Sequence, residues 1–192
     1  MITNTTRRFL TILITGIFTI WFDRRYRKYT FIPLLILLIG FILPQNMIQP
    51  VKGASTSDWD INSFWAYPWG NSVTHKGIDI FQIKGTDVVS STHGWVVYTY
   101  EGGKGGKSVM ILGPKWRFHY YAHLDEIKAT PFVPVKRGAV IGTVGDTGNA
   151  KGKPPHLHYA ITSPFPYVNR YDKEAIHGWK KMFYLNPDTW LR

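Results

Sequence analysis

The stretch GWVVYTYEGGKGGKSVMIL, residues 94–112, carries the strongest structural signal in the chain. β-Branched and aromatic residues dominate its two ends, Gly94–Tyr100 and Ser108–Leu112, which is typical of β-strands. Four glycines surround Lys104 between these ends, and glycine readily adopts the positive φ that a tight turn requires. The stretch therefore predicts a β-hairpin.

Further strand candidates follow the hairpin at Phe118–Ala122, Ala139–Val144 and His156–Ile161. They are short, rich in β-branched and aromatic residues, and separated by glycine and proline. After Val51 no long stretch repeats its apolar residues with the period of 3.6 that a helix requires. The fold class predicted for residues 61–192 is mostly β, a compact antiparallel sheet or sandwich in one domain.

The N-terminal part of the chain differs in composition from the rest. Apolar runs occupy residues 9–22 and 31–48, and the basic segment Asp23–Lys28 separates them. A helix that crosses a bilayer needs about 20 apolar residues, so the second run predicts a transmembrane helix and the first a short span or an interfacial helix. Residues 1–48 are predicted to form a basic arm and membrane anchor, and residues 49–60 a linker.

The charges between the two apolar runs predict the orientation of this anchor. Basic loops remain on the cytoplasmic side, so the segment after residue 48 is expected on the periplasmic or extracellular side of a bacterial inner membrane. The anchor would be single-pass or a hairpin. A cleavable signal peptide is the alternative, but its best cleavage site, Lys52-Gly53-Ala54, has lysine where a small residue is expected.

Composition excludes several classes of protein. The chain has no cysteine, which rules out disulfides and thiolate metal sites. Its net charge is +11, and residues 1–30 alone hold six basic residues against one acidic residue. The other basic residues are dispersed rather than clustered with aromatic side chains, so no nucleic-acid partner is predicted. Nothing in the sequence specifies an oligomeric state.

Four short motifs contain residues suited to metal binding and acid–base chemistry. On a straight strand, His75 and Asp79 of HKGID would lie about 13 Å apart at ~3.3 Å per residue. The chain must therefore bend near Gly77 if both bind one ion. Strand alternation predicts that His156 and His158 of HLHY share one face, with Leu157 in the core. It also pairs Tyr121 with His123 in YAHL, and the glycine-rich GTVGDTG, residues 142–148, is a candidate substrate loop.

In this order, HKGID, YAHL, GTVGDTG and HLHY resemble the lysostaphin-like (LytM-type) zinc endopeptidases. The resemblance implies one Zn²⁺ per chain, held by His75, Asp79 and His158, with the fourth position left for water as in catalytic zinc sites. It implies that His123 and His156 are the catalytic histidines. Substrate-binding or supporting residues are expected at Tyr121, Gly145 and Thr147.

The resemblance also implies a reaction, the hydrolysis of peptide cross-links in bacterial peptidoglycan. Zinc polarises the scissile carbonyl and lowers the pKa of bound water toward ~7. His156 is expected to be the general base and His123 the donor to the developing oxyanion, although the two roles can be exchanged. The alternative is a non-catalytic module that binds cell wall or activates other hydrolases. Such a module would be expected to have lost metal ligands.

Overall fold

The computed structural model describes residues 27–192, apart from the side chains of Arg27 and Asn71. These residues fall into two units, one ending at Leu43 and one covering Pro44–Arg192. In the first unit, helix α1 spans Arg27–Ile42. The apolar run predicted at residues 9–22 lies outside the described residues.

Helix α1 covers the first part of the apolar run at residues 31–48 and does not continue to the end of that run. It ends at Ile42, since proline at position 44 cannot donate a backbone hydrogen bond and disfavours helical backbone at the residue before it. Within residues 27–192, no helix reaches the length and apolar character that crossing a bilayer requires. The transmembrane helix predicted from the second apolar run is therefore not found.

The second unit is built on antiparallel strands, which confirms the predicted β class. Strands β1 and β2 span Ile78–Phe81 and Asp87–Val89. Strands β3, β4 and β5 span Gly94–Gly102, Gly106–Leu112 and Phe118–Ile127. The remaining strands are β6 to β9, at Pro134–Val135, Val140–Val144, His156–Thr162 and Tyr184–Leu185, and the short helix α2 spans Asp188–Leu191.

Within the described residues the strands form one branched sheet. Its main path is β1-β8-β5-β4-β3-β6, and β7 leaves this path by pairing with both β5 and β2, while β9 pairs with β8. The predicted hairpin is confirmed, since β3 and β4 pair antiparallel up to Gly102 and Gly106. Strand β8 lies between β1 and β5, and this arrangement brings all three histidine motifs together.

The core lies on one face of this sheet and contains alternate residues of its strands. Its fully buried members include Ile78, Ile80, Val109, Ile111, Tyr121, Leu124, Leu157, Tyr159 and Ile161. Leu157 is fully buried, as the alternation in HLHY predicted.

Residues 49–60, predicted as a linker, are held against the domain by two buried side chains. Val51 forms a β-bridge with Val88 of β2 and is buried in the core. Trp59 is also buried, and its indole N–H donates to Asp188 Oδ1 at 3.0 Å. Burying these two large apolar side chains favours a fixed position for a segment whose polar composition suggested a linker.

Candidate metal centre and active site

Strand pairing places two of the predicted ligands opposite each other. Asp79 on β1 is the register partner of His158 on β8, and directly opposed side chains on neighbouring strands lie close together. Asp79 Oδ1 lies 2.7 Å from His158 Nδ1. The pairing of β1 with β8 therefore builds half of the centre from residues 79 positions apart.

The bend predicted at Gly77 supplies the third ligand. His75 precedes β1, and its Nε2 lies 3.0 Å from Asp79 Oδ1 and 3.1 Å from His158 Nδ1. A Cβ at Gly77 would lie only 2.4 Å from the carbonyl oxygen of Tyr159. Only glycine allows the chain to pass this close to β8, and the close passage brings His75 to the other two ligands.

The hydrogen bonds of His75 determine which ring nitrogen faces the centre. Its Nδ1–H donates to the carbonyl of Ser63 at 3.0 Å, so in the neutral ring Nε2 carries a lone pair. The indole of Trp69 stacks on this ring at a centroid distance of 4.1 Å, and only 2% of His75 is exposed. Both contacts hold the imidazole in one orientation.

A cation fits this set of electron-pair donors. The ligand atoms of His75, Asp79 and His158 all lie within 4.8 Å of one another. The lone pair on His75 Nε2 and the carboxylate of Asp79 face each other without a proton to share, so a positive ion between them would remove the repulsion. Two imidazoles and one carboxylate form a donor set that zinc prefers in catalytic sites.

Burial and charge act in opposite directions on these ligands. Burial raises the pKa of Asp79, but its interactions with His158 and His75, the hydrogen bond from His158 foremost, outweigh burial and hold that pKa below its usual range. Burial lowers the pKa of His158, and the Asp79 carboxylate opposes that shift. The ligands therefore favour an ionised carboxylate beside neutral imidazole, which are the forms that bind metal.

His123 faces the centre because β5 contains a β-bulge. Its neighbours Tyr121 and Leu124 pair with Val109 and Lys107 of β4, so three steps along β5 match two along β4. The extra residue puts both Tyr121 and Leu124 in the core and turns His123 to the other face, with a positive φ of 64°.

His123 is held by two hydrogen bonds to backbone. Its amide N–H donates to the carbonyl of Gly105, and its Nδ1–H donates to the carbonyl of Thr147, both at 2.9 Å. Burial, together with the charges of His158 and His156, lowers the pKa of His123 to about 4. In the neutral ring, Nε2 is the nitrogen left to accept a proton.

His156 has the same arrangement on the neighbouring strand. Its Nδ1–H donates to the carbonyl of Pro154 at 2.8 Å, and its Nε2 lies 3.9 Å from Asp79 Oδ2. The rings of His123 and His156 are 5.1 Å apart between centroids, and the ring of His123 is 5.9 Å from that of His158. The structure thus brings together all five residues predicted as ligands or catalytic groups.

The predicted supporting residues have different outcomes. Thr147 adjoins the centre: its carbonyl accepts from His123, and its hydroxyl donates to the carbonyl of Leu124. Gly145 pairs with His156, and a Cβ there would lie 2.7 Å from the carbonyl oxygen of His123. Both positions therefore hold the two histidines predicted to be catalytic.

Tyr121 lies in the core and is not placed to contact a substrate at this centre, while its prediction as a supporting residue stays a prediction. It is fully buried, and its hydroxyl accepts the backbone N–H of Ser91 at 2.9 Å. The bulge is the reason: strict alternation along β5 would have placed Tyr121 and His123 on one face. Tyr120 takes its place beside the centre, with its ring 6.5 Å from that of His158.

Two further residues position the predicted ligand His75, and the sequence did not reveal either of them. Ser63 acts through its backbone carbonyl, which any residue would supply, so no sequence signal could reveal it. Trp69 stacks on His75, and the alternation of Trp65, Tyr67 and Trp69 before HKGID was its only signal. Trp65 is buried in the structure, whereas Tyr67 is exposed.

Curated proteins similar to this chain include proteins named as endopeptidases and a protein named as a murein hydrolase activator. The DD-carboxypeptidase/endopeptidase Mpg of Neisseria meningitidis is 36% identical over 121 residues, which cover 56% of this chain and 27% of that protein. The L-Ala--D-Glu endopeptidase of Bacillus subtilis is 31% identical over 138 residues, or 61% of this chain and 42% of that protein. The murein hydrolase activator NlpD of Salmonella typhimurium is 34% identical over 110 residues, or 57% and 27%. The chain thus spans less than half the length of these relatives.

A solved structure shares the fold and extends the similarity to most of the chain. A candidate glycyl-glycine endopeptidase lytM from Ruminococcus gnavus superposes with a TM-score of 0.52 at 27% identity, covering 76% of this chain and 56% of that one. The sequence profile of peptidase family M23 matches residues 73–170, which include all three predicted ligands and both histidines predicted to be catalytic. This match covers about half of the chain and, together with the geometry of the centre, establishes that the chain belongs to peptidase family M23.

Proposed function

We propose that this chain is a zinc-dependent endopeptidase that hydrolyses peptide cross-links of bacterial peptidoglycan outside the cytoplasm. The observation that carries the proposal is the convergence of His75, Asp79 and His158 beside His123 and His156. A degenerate site would be expected to lack at least one of these side chains. Bound zinc would polarise the scissile carbonyl and acidify a water molecule.

The two remaining histidines supply proton transfer in this proposal. Both rings direct Nδ1–H to a backbone carbonyl, so each neutral ring presents an unprotonated Nε2. We assign the general base to His156, whose Nε2 takes a proton from the attacking water and returns it to the leaving nitrogen. We assign to His123 the stabilisation of the developing oxyanion, whose negative charge favours a proton on Nε2 against the lowered pKa of the ring. This geometry is symmetrical enough for the roles to be exchanged.

The proposal is tested by digestion of purified sacculi with the full-length chain loaded with zinc. The released muropeptides are identified by mass spectrometry, with His156→Ala and chelator-treated protein as controls. Loss of cross-linked species with the intact protein alone would support the endopeptidase and identify the bond. Sacculi from directly cross-linked walls and from walls with glycine bridges should both be used, and no digestion of either would reject the proposal.

A non-catalytic activator of other wall hydrolases is the second candidate, because the relatives include a protein named as a murein hydrolase activator. The complete set of ligands and catalytic histidines argues against it. One measurement distinguishes the two functions. If the chain is an activator, the wild-type protein and the His156→Ala variant should stimulate a separately added wall hydrolase equally. An endopeptidase should release muropeptides alone and lose this ability in the variant.

We also propose that the N-terminal segment holds the enzyme at the outer face of the cytoplasmic membrane. The basic residues before α1 and the exposed apolar side chains along it, among them Phe31, Ile36 and Leu38, support this location. Fractionation of cells that express the full-length chain, followed by protease treatment of intact spheroplasts, tests it. Recovery in the cytosolic fraction, or protection of residues 61–192 from protease, would contradict it.

A further inference from the structure

A groove beside the candidate centre is lined by the β3–β4 hairpin and by Tyr120 of β5. Its volume is about 560 Å³, and its walls include the rings of Tyr98, Tyr100 and Tyr120 and the glycine-rich turn around Lys104. This is the range of volumes in which small ligands and peptide side chains are bound. Neither the metal ligands nor the catalytic histidines line it.

Two contacts connect this groove directly to the centre. The carbonyl of Gly105, in the groove wall, accepts the backbone N–H of His123 at 2.9 Å. On the other side, the ring of Tyr120 lies edge-on to the ring of His158 at 6.5 Å. A peptide whose scissile bond lies at the centre would therefore reach the groove with its neighbouring residues.

The glycines of the hairpin keep the groove open. A Cβ at Gly105 would lie 2.1 Å from the hydroxyl oxygen of Tyr120, so only glycine allows that ring to lie against the turn. A Cβ at Gly102 would lie 3.1 Å from the hydroxyl oxygen of Tyr100. The turn thus supplies bare backbone between two aromatic rings, a surface on which an extended peptide can pack.

The charge of the groove is positive. Among the described residues that line it, Lys104 alone is charged. The Lys104 ammonium therefore attracts a negative group on a ligand that enters the groove.

We propose that this groove is a substrate subsite that binds a peptide segment with a free carboxylate next to the scissile bond. The tyrosine rings pack against the peptide, and the Lys104 ammonium donates to the carboxylate. This inference rests on the proposed endopeptidase function and adds a substrate class to it. It predicts that amidation of the carboxylate weakens binding.

Isothermal titration of the full-length, zinc-loaded His156→Ala protein tests the subsite without turnover. The probes are the wall pentapeptide L-Ala–γ-D-Glu–L-Lys–D-Ala–D-Ala, its C-terminal amide, and the analogue with D-isoglutamine in place of γ-D-Glu. We expect one of the two amidations to weaken binding about threefold to tenfold, in the range of a partly exposed charge-assisted hydrogen bond. Adding Lys104→Gln should remove this difference.

Matched variants separate the charge from general effects. Lys136→Gln makes the same charge change at an exposed position outside the groove. It should leave the difference in affinity between the free and the amidated peptides unchanged. Tyr100→Ser, at a half-exposed ring, should weaken all three peptides equally. The proposal is overturned by equal affinities for the three peptides, by discrimination that persists in Lys104→Gln, or by no measurable binding.

Digestion of sacculi by the same wild-type preparation distinguishes the two proposals. If the affinity difference between free and amidated peptides depends on Lys104 but the sacculi are not digested, the subsite is retained and the endopeptidase function is rejected. Digestion without discrimination would reject the subsite alone.

Discussion

Three histidines at the centre are oriented by the same device, a hydrogen bond from Nδ1–H to a backbone carbonyl. The acceptors are Ser63 for His75, Thr147 for His123 and Pro154 for His156. Each bond fixes one tautomer and one ring orientation, so that Nε2 carries the lone pair. Because backbone carbonyls cannot ionise or change rotamer, they hold the rings with little dependence on pH.

At the scale of single residues, mutation should distinguish the proton-transfer role of His156 from the metal-binding role of His158. Replacing His156 by Ala removes a proton-transfer group, so we expect kcat for cross-link cleavage to fall about 10²- to 10⁴-fold. Zinc content should remain one per chain, because the donors of His75, Asp79 and His158 are untouched. Muropeptide release rates and atomic emission measure the two quantities.

The control for this prediction is His93→Ala, which removes an exposed imidazole from the same domain. It should leave both the rate and the zinc content unchanged. Loss of zinc in His156→Ala would mean that His156 is a ligand and that the set proposed above is incorrect.

At the scale of elements, the pairing of β1 with β8 depends on the absence of a side chain at position 77. We expect Gly77→Ala to lower the free energy of unfolding by about 1–3 kcal/mol or more, because its Cβ would meet the Tyr159 carbonyl at 2.4 Å. It should also weaken zinc binding, since the same contact positions His75. Urea unfolding and competitive zinc titration measure these effects.

Gly152→Asn serves as the matched glycine replacement. Gly152 has a positive φ of 77° and open space around it, and asparagine tolerates that backbone. This variant should lose little stability and no zinc affinity. Equal zinc affinity in Gly77→Ala and wild type would show that the close approach to β8 is not required for the centre.

The sequence predicted those elements whose structure is determined by neighbouring residues, and it did not predict those that depend on distant parts of the chain. The hairpin around Lys104 was predictable because strand and turn residues alternate within 19 positions. The bend at Gly77 followed from the distance that His75 and Asp79 must close. The bulge in β5 was not predictable, because an extra residue in one strand becomes visible only against its partner, and Tyr121 was misplaced as a result.

The packing of residues 49–60 was missed for a related reason. Polar and small residues surround Val51 and Trp59, so the local composition is that of a linker. Their burial depends on partners far along the chain, Val88 and Asp188. The position of this segment is determined by tertiary contacts, which cannot be predicted from the residues of the segment alone.

At the scale of the whole molecule, a buried polar network crosses the core behind the centre. Gln45 accepts a hydrogen bond from Arg117, so its amide nitrogen is left to donate to His119 Nε2 at 3.1 Å. His119 Nδ1–H then donates to the Tyr159 hydroxyl at 2.6 Å. The network connects residue 45, which precedes the sheet, to the residue that follows the ligand His158.

This network should make stability depend on pH. Burial, with a smaller effect of Arg117, lowers the pKa of His119 to about 3. Below pH 6.5 the unfolded chain binds a proton at His119 that the folded chain does not accept until about pH 3, so the free energy of unfolding falls as pH falls. In metal-free protein we expect His119 to account for a loss of about 2–3 kcal/mol between pH 7 and 4.5.

Urea unfolding of wild type and His119→Gln at several pH values measures this contribution. The two unfolding free energies should converge, or cross, as the pH is lowered, whereas His93→Gln should follow wild type throughout. Parallel pH profiles for wild type and His119→Gln would assign the acid sensitivity to other groups.

Metal removal should weaken the attachment of β1 to the sheet. Within the described residues β1 pairs with β8 alone, and His75, Asp79 and His158 add a second connection between this edge strand and β8. An ion bound only by the folded chain stabilises it by about 2.7 kcal/mol when its free concentration is 100 times Kd. For a domain of this size we therefore expect chelation to lower Tm by about 5–10 °C.

Added Zn²⁺ should restore the Tm of wild type and leave that of His158→Ala unchanged, while Mg²⁺, which prefers oxygen ligands, should restore neither. A wild-type Tm that is the same with chelator and with zinc would mean that these three residues do not hold a metal in the folded chain, and the proposed hydrolytic function would then lose its basis.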